Sequence, residues 1–258
     1  MQFTTYQIAF VSILPIFSGL SSALNPSCRP GGNFDLKKWD LETPIDNGSG
    51  QPKVIPGSDL TPAGDACKNG WQDKGSDHQW FFKESTDGSM VMKAPGYSSS
   101  RPCIKWSGSN HCRSEFHEDT AAWSTTSGTN RLHVKLSAGY GTKICIGQVF
   151  QSGTGSNKPY LELYYNSNGD VVTGVATCPG GANDGCGQDT TTIGNVPFNT
   201  QFTYDLQFEG GVLKAGVNGN LKTLKTFFTT PKASFKFGNY NQGTDDASVH
   251  IFELSVQH

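Results

Sequence analysis

The stretch Phe202-Thr203-Tyr204-Asp205-Leu206-Gln207-Phe208 alternates apolar and polar side chains without a break. Glu209-Gly210-Gly211 then turns the chain into Val212-Leu213-Lys214-Ala215-Gly216-Val217. A period of two marks a half-buried β-strand, because successive side chains point to opposite faces of a sheet. A Gly-rich break between two such runs is a hairpin signal. The pattern recurs in both directions: Arg131–Leu136, Tyr160–Tyr165 and Ala247–Val256 alternate, and Asn166-Ser167-Asn168-Gly169 and Asn218-Gly219 add turns. No long stretch carries apolar residues at three-four spacing. Many short strands with Gly and Asn turns predict an all-β fold, a jelly-roll β-sandwich of two antiparallel sheets.

Composition agrees with this reading and narrows the function. Glycine is abundant (31 residues), charged residues are few (16%) and aromatics plentiful (11%). That profile suits short strands and a sugar-binding surface. The net charge of −2 gives no general attraction to polyanions, so an acidic ligand needs a local cationic strip. No basic cluster interleaved with aromatics appears, which argues against nucleic acid. An apolar run from Ile8 to Leu20 ends at Ser21-Ser22-Ala23, a small-x-small cleavage pattern. Residues 1–23 therefore read as a secretory signal peptide and residues 24–258 as one soluble extracellular domain with no membrane segment, expected to act as a monomer. Pro44 to Gly64 is rich in Gly, Pro, Ser and Asp and reads as a surface loop holding the sequon Asn47-Gly48-Ser49.

Seven cysteines in a secreted chain suggest disulfides and one leftover thiol. Cys103 and Cys112 flank one short loop and Cys178 and Cys186 another, while Cys28 and Cys67 can tie the N-terminal arm to a later loop. Cys145 lies in the strand-like Lys143-Ile144-Cys145-Ile146-Gly147 and is expected to be the buried free thiol. Spacing leaves other connectivities open.

Three distant segments carry polar residues at every second position: Arg113-Ser114-Glu115-Phe116-His117, Gly147-Gln148-Val149-Phe150 and Lys236-Phe237-Gly238-Asn239-Tyr240-Asn241-Gln242. On neighbouring strands, Arg113, Glu115 and His117 would share a face with Gln148, Phe150, Lys236, Tyr240 and Gln242. A cation, an amide, an imidazole and a phenol on one surface suit an acidic sugar chain. Taken singly, Arg and Glu at i, i+2 also describe a solvated salt bridge, and a lone Tyr usually sits in a core or rim.

Together and in this order the three segments resemble motifs of polysaccharide lyase family 7, the alginate lyase type. Arg113–His117 resembles R-S/T-E-L/V-R, Gly147–Phe150 resembles Q-I/V-H, and Ser234–Gln242 resembles Y-F-K-A-G-x-Y-N-Q. Phe34–Leu41 resembles the family's opening strand, and the likeness runs from about Phe34 to the C-terminus. The resemblance implies a jelly roll with a concave substrate cleft and β-elimination of uronic acid polymers without a cofactor. Two residues depart from the pattern: His117 stands where the family has Arg, and Phe150 stands where it has a His that serves as a base.

Elimination across C4–C5 of a uronate needs a neutralised carboxylate, a base for the C5 proton and an acid for O4. Arg113 and Gln148 are the candidates for the carboxylate. Tyr240 is the candidate for base and acid, provided that its pKa falls beside Arg113, Lys236 or His117. Glu115 is expected to hold Arg113, Lys236 to orient Tyr240 or touch the chain's acidic groups, and His117 to offer a second base. Phe150 and Gln242 complete the binding surface. In β-mannuronate and β-glucuronate H5 and O4 leave from the same side, so one residue serves both roles. In α-guluronate they leave from opposite sides. The loss of the family's second group at Phe150 thus predicts a preference for mannuronate-rich alginate or glucuronan. Two other classes remain in view: a non-catalytic carbohydrate-binding jelly roll, and a glycoside hydrolase, which needs two facing carboxylates that Glu115 and Glu118, three apart on a strand, cannot supply.

Overall fold

A computed structural model describes residues 23–73, 79–98, 100–119, 122–153, 156, 158–180 and 185–258. Residues 1–22 of the expected signal peptide lie outside the described residues. Among the described residues the helices are three four-residue turns, Pro30–Asn33, Gly57–Leu60 and Ala66–Asn69. None is long or apolar enough to cross a membrane.

The strands are β1 (Trp39–Asp46), β2 (Pro52–Ile55), β3 (Phe81–Lys83), β4 (Met90–Ala94), β5 (Arg113–Glu118), β6 (Trp123–Ser124), β7 (Arg131–Tyr140) and β8 (Lys143–Ser152). They continue with β9 (Pro159–Asn166), β10 (Asp170–Ala176), β11 (Gln188–Asn195), β12 (Phe202–Glu209), β13 (Val212–Val217), β14 (Asn220–Thr223), β15 (Lys232–Asn241) and β16 (Ala247–Gln257). They form two antiparallel sheets. One runs β11-β10-β9-β8-β15-β5-β1-β2, with β6 also on β15, and the other runs β14-β13-β12-β7-β16-β4-β3. This is the expected jelly-roll sandwich. Its order places the three polar motifs on adjacent strands β8, β15 and β5. Lys236 pairs with His117 on one side and Gln148 on the other, and Tyr240 with Arg113 and Cys145.

The apolar half of each alternating strand fills the space between the sheets. Phe116 stacks on Phe237 at 4.8 Å, and Trp39 meets Phe237 edge-on at 4.7 Å. These rings are fully buried or nearly so, each contributing about 1.5–3 kcal/mol by removal from water. Glu115 and Glu118 face opposite sides of β5, as a period of two requires. Glu118 points inward, where its Oε2 accepts from the Trp123 indole at 2.9 Å and the Phe235 backbone N–H at 2.6 Å, while Oε1 meets His258 Nε2 at 2.6 Å. One buried carboxylate thereby joins β5, β6, β15 and the last residue of the chain.

Within β15, Asn239 and Asn241 also point inward. Asn239 Nδ2 donates to the carbonyls of Met92 and Ala247, and Asn241 Nδ2 to those of Ala94 and Asp245. Tyr240, between them, is held to the opposite face by two side chains anchored across the sandwich. Gly238 has φ +131°, and a Cβ there would meet Met92 Cε at 2.6 Å and Ser114 O at 2.8 Å. The strand bulges against β8 at this point.

The reading of Pro44 to Gly64 as a surface loop needs correction. It holds the end of β1, the edge strand β2 and the helical turn Gly57–Leu60. Leu60 and Ile55 are buried there, anchoring a stretch whose Gly and Pro content masked its apolar residues. The sequon lies at the exposed turn between β1 and β2. Disulfides join Cys28–Cys67, Cys103–Cys112 and Cys178–Cys186, and Cys145 is a buried thiol.

Removing the Glu118 carboxylate leaves the Phe235 N–H and the Trp123 indole without acceptors. Glu118→Ala is expected to lower unfolding free energy by about 2–4 kcal/mol, read from denaturant midpoints at constant slope. A change indistinguishable from wild type contradicts this role.

Candidate active site

The outward face of the first sheet carries a cleft of about 720 Å³. Glu42 of β1, Arg113 of β5, Lys236 and Tyr240 of β15, and Gln148 and Phe150 of β8 line its floor. The far wall includes Glu162 and Gln188, and the near wall is the loop from Trp106 to His111. Gln242 is also at its edge.

Arg113 is the centre of the floor. Only 9% of it is exposed, yet its charge is kept. Burial opposes the guanidinium cation, and Glu115 and Glu42 more than offset that. Nη1 donates to Glu115 Oε2 at 2.8 Å and lies 3.3 Å from Glu42 Oε2, while Nη2 donates to Ser109 Oγ at 3.3 Å. The Tyr240 ring covers the guanidinium at 3.8 Å from its centroid, a cation–π contact. Glu115 is fully buried, and burial pushes its carboxyl above the usual range against the pull of Arg113 and Lys236. Its Oε1 accepts from Gln148 Nε2 at 2.5 Å. Glu115 therefore holds both groups that the sequence assigns to a substrate carboxylate.

The Lys236 ammonium sits 4.6 Å from the Phe150 ring centroid and 3.7 Å from Glu42 Oε1. Phe150 thus seats a cation in the place where the family's motif has an imidazole. His117 Nε2 lies 3.8 Å from Glu42 Oε1, and His117 is not among the residues that line the cleft. Glu42 meets all three cationic or imidazole side chains of the motifs. Burial raises its carboxyl, but Lys236, Arg113 and His117 together hold it below the ordinary carboxylate range.

Burial pushes the Tyr240 phenol above its usual value, against the pull of Arg113 and of the hydrogen bond with Ser109. Ser109 Oγ gives its own proton to the carbonyl of His111 at 2.9 Å and accepts the His111 N–H at 3.2 Å. The Tyr240 hydroxyl lies 2.9 Å from Ser109 Oγ, in a hydrogen bond in which either oxygen can donate. Guanidinium proximity favours the phenolate and burial favours the phenol.

Sequence reasoning missed Glu42, Ser109 and His111. Glu42 had a signal, since Trp39-Asp40-Leu41-Glu42 alternates and places Asp40 and Glu42 on the outward face. Ser109 and His111 had none beyond lying between Cys103 and Arg113, in a loop read only as a staple. Of the five tryptophans, Trp106 lines the cleft and Trp39 and Trp123 are core residues.

The family model for alginate lyase matches residues 34–258. An alginate lyase described as a member of polysaccharide lyase family 7 is 21% identical, with 89% of this chain and 98% of that chain covered at a TM-score of 0.73. The alginate lyase of Pseudomonas aeruginosa is 20% identical, with 87% and 100% covered and a TM-score of 0.69. That of Corynebacterium sp. is 20% identical, with 90% and 99% covered and a TM-score of 0.69. No curated protein matches the chain. The structural likenesses establish the jelly-roll fold, and the family model spans all three motifs: the chain belongs to the alginate lyase family of polysaccharide lyases, polysaccharide lyase family 7.

Proposed function

We propose that the protein is a secreted lyase that cleaves β-1,4-linked polyuronate, mannuronate-rich alginate or glucuronan, by β-elimination, leaving 4,5-unsaturated uronate ends. The observation that carries this reading is the phenol of Tyr240 stacked on the paired guanidinium of Arg113, with Gln148 and Lys236 beside it on an open floor. A solved variant of one relative, with a tyrosine replaced by phenylalanine, holds product, and another with a histidine also replaced holds substrate. Those are facts about that protein. They support looking to Tyr240 here for the proton chemistry.

Arg113 and Gln148 face the C5 carboxylate. Gln148 gives one N–H to Glu115 and keeps the other for the sugar, while Arg113 and Lys236 supply the positive field that makes the C5 proton acidic. Glu115 fixes the geometry of both. Tyr240 takes the C5 proton and returns it to O4 as the glycosidic bond breaks. It must enter turnover as phenolate for this, and Arg113 and the Ser109 hydrogen bond pull its pKa down against burial. His117 and Glu42 brace Lys236 and Arg113, and Gln242 meets the sugar at the rim. Phe150 leaves the opposite face of the ring without a proton acceptor, which favours sugars whose H5 and O4 depart together.

Replacement of the phenol tests this directly. Tyr240→Phe is expected to lower kcat by about 10²–10⁴-fold while oligouronate binding stays within a few-fold of wild type. Retained turnover contradicts the assignment, and a purely binding module would show no ultraviolet rise from unsaturated ends in either protein. With Tyr240 required as phenolate and burial raising its pKa, kcat/KM should climb as the medium turns alkaline. A kcat/KM that falls over the same range contradicts that sign. Mannuronan, guluronan and glucuronan assayed side by side should show guluronan as the poorest substrate, and Phe150→His should narrow the gap. Fast cleavage of guluronan alone refutes the stereochemical argument.

A further inference from the structure

We propose that Glu162 is a specificity-determining residue of this lyase: its carboxylate accepts hydrogen bonds from the C2–C3 hydroxyl edge of the sugar next to the one whose carboxylate Gln148 holds. The proposal rests on the lyase reading above and names what the far wall of the cleft recognises.

The register of the strands sets three groups in a row. Lys236, Gln148 and Glu162 stand directly opposite one another on β15, β8 and β9, and all three line the cleft. Neighbouring strands lie about 4.8 Å apart, close to the advance of one sugar in an extended 1,4-linked chain. A chain laid across these strands with a carboxylate at Gln148 sets its next sugar over Glu162. Successive sugars of a β-1,4-linked chain are turned over, so that sugar presents its C2–C3 edge where its neighbour presents a carboxylate. Hydroxyls donate to Glu162, whereas a second carboxylate would meet a like charge there.

The carboxylate is braced through one oxygen only. The Tyr164 hydroxyl donates to Glu162 Oε2 at 2.8 Å, and Gln188 Nε2 donates to the same oxygen at 2.6 Å. The Glu162 side chain makes no other hydrogen bond or ion pair among the described residues, so Oε1 keeps its lone pairs for a ligand. Burial and the Glu162 charge hold the Tyr164 phenol well above its usual range, which keeps it a donor. The Lys143 ammonium lies 4.0 Å from the centroid of the same ring.

Space for this bracing is built into the sheet. Gln188 belongs to β11 and has to cross β10 to reach β9. Gly174 of β10, paired with Glu162, lets it pass: a Cβ there would stand 2.5 Å from Gln188 Oε1 and 3.1 Å from Tyr164 Cε2. Both donors are thus in place beside Glu162 before substrate arrives.

The test compares Glu162→Ala and Glu162→Gln with wild type on mannuronan and glucuronan and on the same polymers acetylated at O2 and O3, with folding checked by thermal unfolding. Loss of charge-assisted bonds to the sugar is expected to raise the KM of Glu162→Ala on the free polymers about 10–100-fold, with kcat within about three-fold of wild type. Glu162→Gln, which preserves shape, should show the same change at a smaller factor. The wild-type preference for free over acetylated polymer should shrink by a matching factor in each variant, a coupling that a bracing role alone does not produce. An unchanged or lowered KM on the free polymers in the folded variants, or a free-to-acetylated preference equal to that of wild type, overturns the proposal alone. A wild type that forms no unsaturated ends from any polyuronate overturns the lyase reading and this proposal with it.

Discussion

A guanidinium buried beneath an aromatic ring has to be paired, and the pairing of Arg113 organises everything around it. Leaving such a charge uncompensated costs several kcal/mol. Two carboxylates meet that demand from different strands, Glu115 on the same face of β5 and Glu42 on neighbouring β1. Each then has further obligations. Glu115 takes the Gln148 amide, and Glu42 reaches Lys236 and His117. The substrate floor is thus one connected set of ion pairs across β1, β5 and β15, extended to β8 by the Gln148 hydrogen bond, and the Tyr240 ring closes it from above. The two carboxylates respond in opposite directions, Glu115 raised and Glu42 lowered, because one is fully enclosed and the other is surrounded by more positive charge.

Rigidity is supplied from the far side of the sheet. The polar residues that flank Tyr240, Asn239 and Asn241, bond carbonyls of the opposite sheet and its adjoining turn, and Glu118 ties β5 to β15 on the inner face. The residues of one strand therefore divide by parity into those that bind the core and those that present chemistry. This is why a motif such as Lys236–Gln242 is polar at positions facing both ways.

Much of the fold could be read from side-chain alternation. Val212–Val217 is a strand with those same bounds, and Phe202–Phe208 and Ala247–Val256 each end one residue early. Alternation also identified the face shared by Arg113, Gln148 and Tyr240, since parity along a strand survives folding. Short or irregular strands such as β3, β6 and β14 carry too few residues to show a period. What joins the site across strands was not legible. Glu42 and Arg113 are 71 positions apart, and nothing local announces their contact. For a related reason the sequence shows the cation near Tyr240 but not the burial that opposes it. The wall carrying Ser109 and His111 belongs to a loop, where neither period applies.

The two departures from the family's motifs are coupled in space. Phe150 supports Lys236, and His117 leans on Glu42, the carboxylate that also reaches Lys236. The most direct measurement is a crystal structure of the Tyr240→Phe protein with a mannuronate or glucuronate oligosaccharide. The expected complex has one sugar with its carboxylate within hydrogen-bond reach of Gln148 Nε2 on the Arg113 side, and with its bridging O4 against the ring at position 240. A sugar chain seated elsewhere, or turned so that its carboxylate points away from Gln148 and Arg113, would contradict it.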